Sequence, residues 1–174
     1  MGDLIARRLD ELAPDARSVF FAWAEGMTVE RDWEDGPSFA AWLREHSAIP
    51  GDTVWAYYDA TAGALLGTAS LIRRDRTLLA PIGGWVLGGV NVVAAARGQG
   101  VGKAIMRWID GEMRRRAAAQ GQPVRVLLQA DNPIAVRLYT SFGYRPVAGI
   151  SGVYAADYGL GPRHGMVDPP LQIL

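Results

Sequence analysis

The sequence predicts an α/β fold, and three stretches carry that prediction. Thr53–Asp59 (TVWAYYD) and Ala64–Arg73 are rich in aromatic, β-branched and other apolar residues, with a short Ala60–Gly63 turn between them, and read as a hairpin. Trp85–Ala95 is a further apolar strand that passes through a compact Arg/Gly turn into an amphipathic helix beginning near Gly100. Val124–Ala130 alternates as a strand, after which Asn132 and Pro133 supply a helix cap and a first-turn proline.

Composition narrows the function classes. The 174 residues fit one domain with a real core, and 18 basic against 18 acidic side chains leave no net charge to drive the chain onto nucleic acid or a membrane. The absence of cysteine excludes disulfides, a thiolate nucleophile and cysteine-based metal sites. His46 and His164 are the two histidines, too few and too far apart in sequence to suggest zinc, so no metal is expected. With no signal-peptide core and no long apolar run, the expectation is a soluble cytoplasmic protein, residues 1–174 forming a single domain.

In chain order, Leu4–Leu9 fits either a strand or the start of a helix. Pro14 opens a helix reaching Trp23 or Glu25, with Ala13 as an indifferent cap. Met27–Pro37 is an acidic loop carrying Glu30, Asp32, Glu34 and Asp35. Ser38 is placed to cap a second helix over Phe39–Glu45. Gly88-Gly89 interrupts the strand at Trp85–Ala95, marking either a bulge or packing against a bulky neighbour such as Trp55. The next helix is expected to bury Val101, Ala104, Ile105 and Trp108, with Lys103, Arg107, Asp110 and Arg114 on its polar side. Arg114–Arg116 read as a solvated face near its end, and Gly121 terminates it. Ala135, Leu138, Tyr139 and Phe142 form the stripe of the last helix, which Gly143 ends. Val147–Tyr158 is less regular, and His164–Val167 reads as a final short strand.

The Arg/Gly turn carries the chemistry. A strand, a glycine-rich turn and a helix start together make an anion site, because the first-turn amides lack intrahelical partners and the macrodipole favours negative charge there. Arg97-Gly98-Gln99-Gly100-Val101-Gly102-Lys103 is not Walker A: the residue five before Gly102 is arginine, and no Ser/Thr follows Lys103. It is not the dinucleotide fingerprint either, since the third glycine would fall on Lys103 or Ile105. It does fit [Arg/Gln]-x-x-Gly-x-[Gly/Ala] at Arg97, Gly100 and Gly102. Thirty residues on, Gln129–Tyr139 runs into Phe142-Gly143-Tyr144.

These two motifs, in this order and at this separation, resemble the GNAT superfamily of acyl-CoA-dependent N-acyltransferases, the likeness running from about Thr53 to Val147. The resemblance implies a central mixed, mostly antiparallel sheet of six to seven strands flanked by about four helices, closed by a strand pair after Pro146. It implies acetyl-CoA as co-substrate, with the amides from Gln99 through Gly100, Val101, Gly102 and Lys103 to Ala104 holding its pyrophosphate. Arg97 and Lys103 either add charge there or are surface residues, and Gly98 shapes the loop. Val92, Val93 and Ala94 would meet the pantetheine and acetyl groups through backbone, at a bulge that accounts for Gly88-Gly89. Asn132 matches a position that contacts the cofactor arm, and it is equally a helix cap. Tyr139 matches the tyrosine that protonates the departing thiolate; a phenol with a pKa of about 10 suits that task. It is otherwise a core aromatic.

The implied reaction is direct attack of a primary amine, from a small molecule or a protein, on the thioester through a ternary complex. Oxyanion stabilisation would come from strand amides. A base is harder to find, because neither Trp85–Ala96 nor Val124–Ala130 contains an acidic residue. Glu25, Glu30 and Asp32 are the carboxylates elsewhere, and ordered water is the alternative. The acidic Glu25–Asp35 stretch suits a cationic acceptor. Trp23, Trp33 and Trp42 either line an acceptor pocket or belong to the core. Homodimerisation is implied by analogy alone. Two other readings stand beside this one: a non-catalytic acyl-CoA-binding or sensor domain on the same fold, and a nucleotide-binding protein using the loop for ATP.

Overall fold

Hydrophobic patterning of the seven strands builds one sheet with strand order β1-β2-β3-β4-β5-β7-β6 in the computed structural model of the chain, which describes residues 3–27, 35–73, 75 and 84–159. The strands are β1 (Leu4–Arg8), β2 (Thr53–Asp59), β3 (Leu65–Arg73), β4 (Trp85–Val92), β5 (Val124–Gln129), β6 (Arg145–Pro146) and β7 (Val153–Tyr158). The helices are α1 (Pro14–Glu25), α2 (Gly36–Ala48), α3 (Val101–Gln120) and α4 (Pro133–Ser141). The ambiguous Leu4–Leu9 stretch is a strand, and β6 with β7 supplies the closing pair after α4. The fold is therefore the mixed α/β architecture expected, mostly antiparallel, with β4 and β5 pairing in parallel at Trp85 with Val126 and Val86 with Leu127. Glu30, Asp32, Trp33 and the strand expected at His164–Val167 lie outside the described residues.

Two compact units make up the chain, Met1–Ile72 with Gly89–Val101, and Arg73–Gly88 with Gly102–Leu174. In the first, β1 pairs antiparallel with β2, and β2 with β3 across a turn that Asp59 organises. Its carboxylate accepts from the Thr61 and Ala62 N–H groups at 2.9 and 2.7 Å, and Gly63 takes φ of 66°. Leu9, Phe20, Phe21, Ala24, Phe39, Ala40, Leu43, Val54 and Ala56 form this unit's core. Each helix contributes residues spaced three or four apart, the period that puts them on one side.

The start of α2 corrects the sequence reading. Asp35, not Ser38, is the cap: its Oδ1 accepts the Ser38 N–H at 2.7 Å, and Gly36 and Pro37 begin the helix before Phe39. That hydrogen bond from the Ser38 backbone holds the Asp35 carboxyl below its ordinary range. A depressed carboxylate stabilises the fold above its unfolded pKa, and the effect is lost as pH falls through the folded value. Asp35→Ala is therefore expected to lower the melting temperature at neutral pH. The difference should close well below the ordinary aspartate pKa of about 3.9, as melts across that range would show.

In the second unit β5 and β7 are antiparallel over six residues each, with Arg125 directly opposite Asp157 and bonded to both its carboxylate oxygens at 2.7 Å. Proline in β6 suits an edge strand. The buried stripe of α3 is rotated from the one expected. Val101 and Ile105 are in it, but Met106, Ile109, Met113 and Ala117 continue it, while Ala104 and Trp108 stay half-buried. Two flexible methionines supply apolar volume that the short i, i+3, i+4, i+7 window left out. No described helix is long and apolar enough to cross a membrane.

Candidate active site

The turn joining β4 to α3 is built locally. Ala94–Ala96 make a 3-10 turn, closed by the Ala96 N–H on the Val93 carbonyl at 2.8 Å and the Arg97 N–H on the Ala94 carbonyl at 3.2 Å. Gly98 and Gly100 then take φ of 76° and 82°. A Cβ at Gly98 would meet nothing within 4 Å, so that position needs glycine for its backbone angle alone. Two left-handed residues in three bring the chain to Val101, the first residue of α3. The amides of Gly100, Val101, Gly102 and Lys103 then precede the first one that a carbonyl of the helix or its cap can reach. With the macrodipole of a 20-residue helix, such amides favour negative charge at its start.

Loop side chains fold back on the strand end. Arg97 donates from Nε to the Val92 carbonyl at 3.1 Å, and Gln99 from Nε2 to the Ala95 carbonyl at 2.8 Å. Both residues are exposed, as is Lys103. Val93 is engaged through both backbone groups, its N–H on the Leu66 carbonyl at 2.9 Å and its carbonyl in the 3-10 turn. Of the three strand-end residues singled out in the sequence, Val92 ends β4 and Ala94 opens the 3-10 turn, and the carbonyls of both accept from Arg97.

The second motif meets the first at a defined point. A Cβ on Gly102 would stand 3.4 Å from Cδ2 of Leu138, so the start of α3 packs close against α4 one residue before Tyr139. Asn132 caps α4, its Oδ1 accepting the Ile134 N–H at 2.9 Å, which leaves the Nδ2 donors for another partner. Tyr139 is the buried residue of α4, its ring 6.1 Å from that of Tyr144 at a tilt of 58°. Tyr144 in turn receives the Tyr158 hydroxyl at 3.4 Å. Burial above all, with the adjoining Tyr158 hydroxyl, pushes the Tyr144 phenol well above its ordinary pKa. It stays neutral beside Tyr139.

Several other candidates are engaged elsewhere. Glu25 pairs with Arg44, whose guanidinium also lies 4.3 Å over the Phe21 ring. Trp23 packs edge-on to Phe20 at 5.4 Å as part of the core. A cavity of about 520 Å³ lies against α1 and Arg44 of α2, and of the candidate residues Glu25 lines it. Arg114 pairs with Asp110 at 2.9 Å, Arg116 with the buried Glu112 at 2.8 Å, and Arg115 with the same Glu112, so all three consecutive arginines are ion-paired. Among the described residues, no cluster of His, Asp or Glu could hold a metal ion.

One contact beside the site was not legible in the sequence. The bulky neighbour of Gly89 is Trp42 of α2, not Trp55, and a Cβ on Gly89 would stand 2.9 Å from Cζ3 of that indole. The glycine pair marked the close approach. Its partner, 47 residues away, carries no local signal.

Comparison with known proteins agrees with this geometry. The family model for the acetyltransferase (GNAT) domain matches residues 50–146, which include both motifs. No curated protein matches the chain in sequence. Among solved structures, an acyl-CoA N-acyltransferase from Pseudomonas aeruginosa shares 18% identity over 90% of this chain and 99% of its own, with a TM-score of 0.62. Escherichia coli ElaA shares 17% over 91% and 99%, with a TM-score of 0.59. Spermidine N-acetyltransferase from Vibrio cholerae, solved with CoA and spermine, shares 15% over 88% and 93%, with a TM-score of 0.56. These structures are alike in fold. With a family model that spans more than half of its length and both motifs, the chain belongs to the GNAT family of acetyl-CoA-dependent N-acetyltransferases.

Proposed function

We propose that the protein moves an acetyl group from acetyl-CoA to a primary amine by direct attack within a ternary complex, in the cytoplasm. The observation that carries this is the Arg97–Val101 turn, where two left-handed glycines present the free amides at the start of α3. A pyrophosphate there accepts from amides in the Gln99–Ala104 stretch, with Arg97 and Lys103 adding positive charge. The pantetheine arm follows the strand end at Val92–Ala94. Asn132 uses Oδ1 as a cap and Nδ2 toward the arm, so its two expected roles are compatible.

The amine lone pair attacks the thioester carbonyl carbon, and the resulting oxyanion takes hydrogen bonds from strand amides. The C–S bond then breaks. The CoA sulfur takes the Tyr139 hydroxyl proton, and the proton lost by nitrogen returns through water to the phenolate. An acetamide and free CoA thiol result. Because the Glu25 carboxylate is paired with Arg44, water is the better first acceptor of the amine proton. An acceptor bearing a cationic amine fits this reading.

A thermal-shift series with acetyl-CoA, free CoA, ATP with magnesium and NAD tests it. At about 100 times the dissociation constant, a ligand that binds only the folded state adds about 2.7 kcal/mol. A shift with CoA species alone, followed by thiol release with an amine from a screen, is the expected result. A second reading is favoured by one observation, the absence of acidic residues from β4 and β5: a CoA-binding domain without turnover. It predicts the same shift and no thiol release with any amine. Stabilisation by ATP with magnesium in preference to CoA would sink both.

A further inference from the structure

The contact between Trp42 and Gly89 bears on which acyl group the site admits. Gly89 sits within β4 at φ of 58°, and a Cβ there would be 2.9 Å from Trp42 Cζ3 and 3.4 Å from the Ser70 hydroxyl oxygen. Carbon atoms pack at about 3.5–4.0 Å, so the indole rests on bare strand backbone and only glycine leaves room for it. The indole is also held from behind. His46, one helical turn further along α2, lies with its ring centroid 4.5 Å from that of Trp42. The His46 Nδ1 is 2.7 Å from Oδ2 of Asp52, whose side chain is fully buried. Phe39 and Leu43, neighbours of Trp42 on the same helix, are locked in the core. A side chain with few rotatable bonds is thus in contact with both strand backbone and an anchored imidazole.

Its place along the strand gives the fixed indole a function. From the anion-binding start of α3, the chain leads back through Val92–Ala94 and then to Gly89, three residues before Val92. At about 3.3 Å per residue, Gly89 is about 10 Å beyond Val92. We propose that Trp42 is a specificity-determining residue that closes this end of β4, so that an acetyl group is accepted and longer acyl chains are turned away. The inference rests on the acetyltransferase reading, because that reading runs the acyl arm along Val92–Ala94. His46 and Asp52 are positioning residues that hold the indole in place. Gly89 then has a purpose in β4: its bare backbone is the wall against which one aromatic side chain sets the limit.

The test needs no acceptor amine. Dissociation constants for free CoA, acetyl-CoA and hexanoyl-CoA are measured for the wild type, Trp42→Ala and Trp42→Phe. The wild type is expected to bind hexanoyl-CoA about tenfold or more weakly than acetyl-CoA, in line with what apolar pockets discriminate. Trp42→Ala should bring the two within a few-fold while free CoA binding is unchanged. Trp42→Phe keeps an aromatic ring in the core and should fall between, so it decides the matter if the alanine variant does not fold. A wild type that binds hexanoyl-CoA as well as acetyl-CoA overturns the proposal, as does an undiminished gap in both folded variants. Failure of the acetyltransferase reading has a separate signature, a wild type that binds none of the three.

Discussion

Replacing Tyr139 with phenylalanine is expected to lower kcat by about 10²–10⁴-fold, the range for losing a positioned proton donor. The ring lies on the buried side of α4 at 8% exposure, with Tyr144 at 6.1 Å, and phenylalanine keeps that shape. Stability should therefore change little, and acetyl-CoA affinity should hold, since Gln99 to Ala104 and Asn132 are untouched. What is lost is a hydroxyl next to a neutral neighbour. Tyr144 is held protonated by burial, so no phenolate charge beside Tyr139 opposes the transient negative charge that proton donation leaves on it. Steady-state thiol release with an amine substrate, alongside a CoA-binding titration, reads both quantities. A core aromatic with no chemical task would leave kcat unchanged in the phenylalanine variant while a Tyr139→Ala variant lost stability. A fall in kcat with unchanged CoA binding and melting temperature separates proton donation from packing.

Local chemistry was legible in the sequence wherever it involved neighbours in the chain. Thr53–Asp59 is rich in aromatic and β-branched residues, and its bounds as a strand are those the sequence predicts. Asn132 and Pro133 specify the start of α4, and the glycines at 98 and 100 specify the turn, because caps and left-handed backbone depend on residues within one or two positions. Errors arose where two local signals competed. Ser38 and Asp35 can both cap, and the carboxylate three residues earlier does so because Gly36 and Pro37 are tolerated in a first turn. The buried stripe of α3 was misplaced for a different reason: packing against the rest of its unit selects which side of a long helix is covered, and periodicity alone fixes only that one side is. Contacts between distant positions were not legible at all. Trp42 against Gly89 and Glu25 with Arg44 follow from topology, and each changes the functional reading, one by filling space on β4 and the other by engaging a candidate base.

Gly84→Ala is expected to destabilise the protein by roughly 2–5 kcal/mol, combining left-handed strain with overpacking. Gly84 stands immediately before β4 at φ of 92°, and a Cβ there would lie 2.1 Å from the Arg125 carbonyl oxygen and 2.7 Å from its carbon. Those atoms are backbone, and they cannot swing aside. Arg125 belongs to β5, which is in register with β7 and clamped by the paired Arg125 and Asp157 side chains. The strand would have to move as a whole, and the parallel pairing of Trp85 with Val126 begins at the next residue. Gly63→Ala is the matched control, since φ is 66° but nothing lies within 4 Å of its Cβ. That variant carries the conformational strain alone, about 1–2 kcal/mol. Chemical denaturation of the two variants separates the contributions. Equal and small losses would mean that β5 yields to the added methyl. A larger loss at Gly84, with CoA binding falling only as the folded fraction falls, would show that the close approach of two backbones at the base of β4 holds the strand that leads into the proposed acyl-CoA loop.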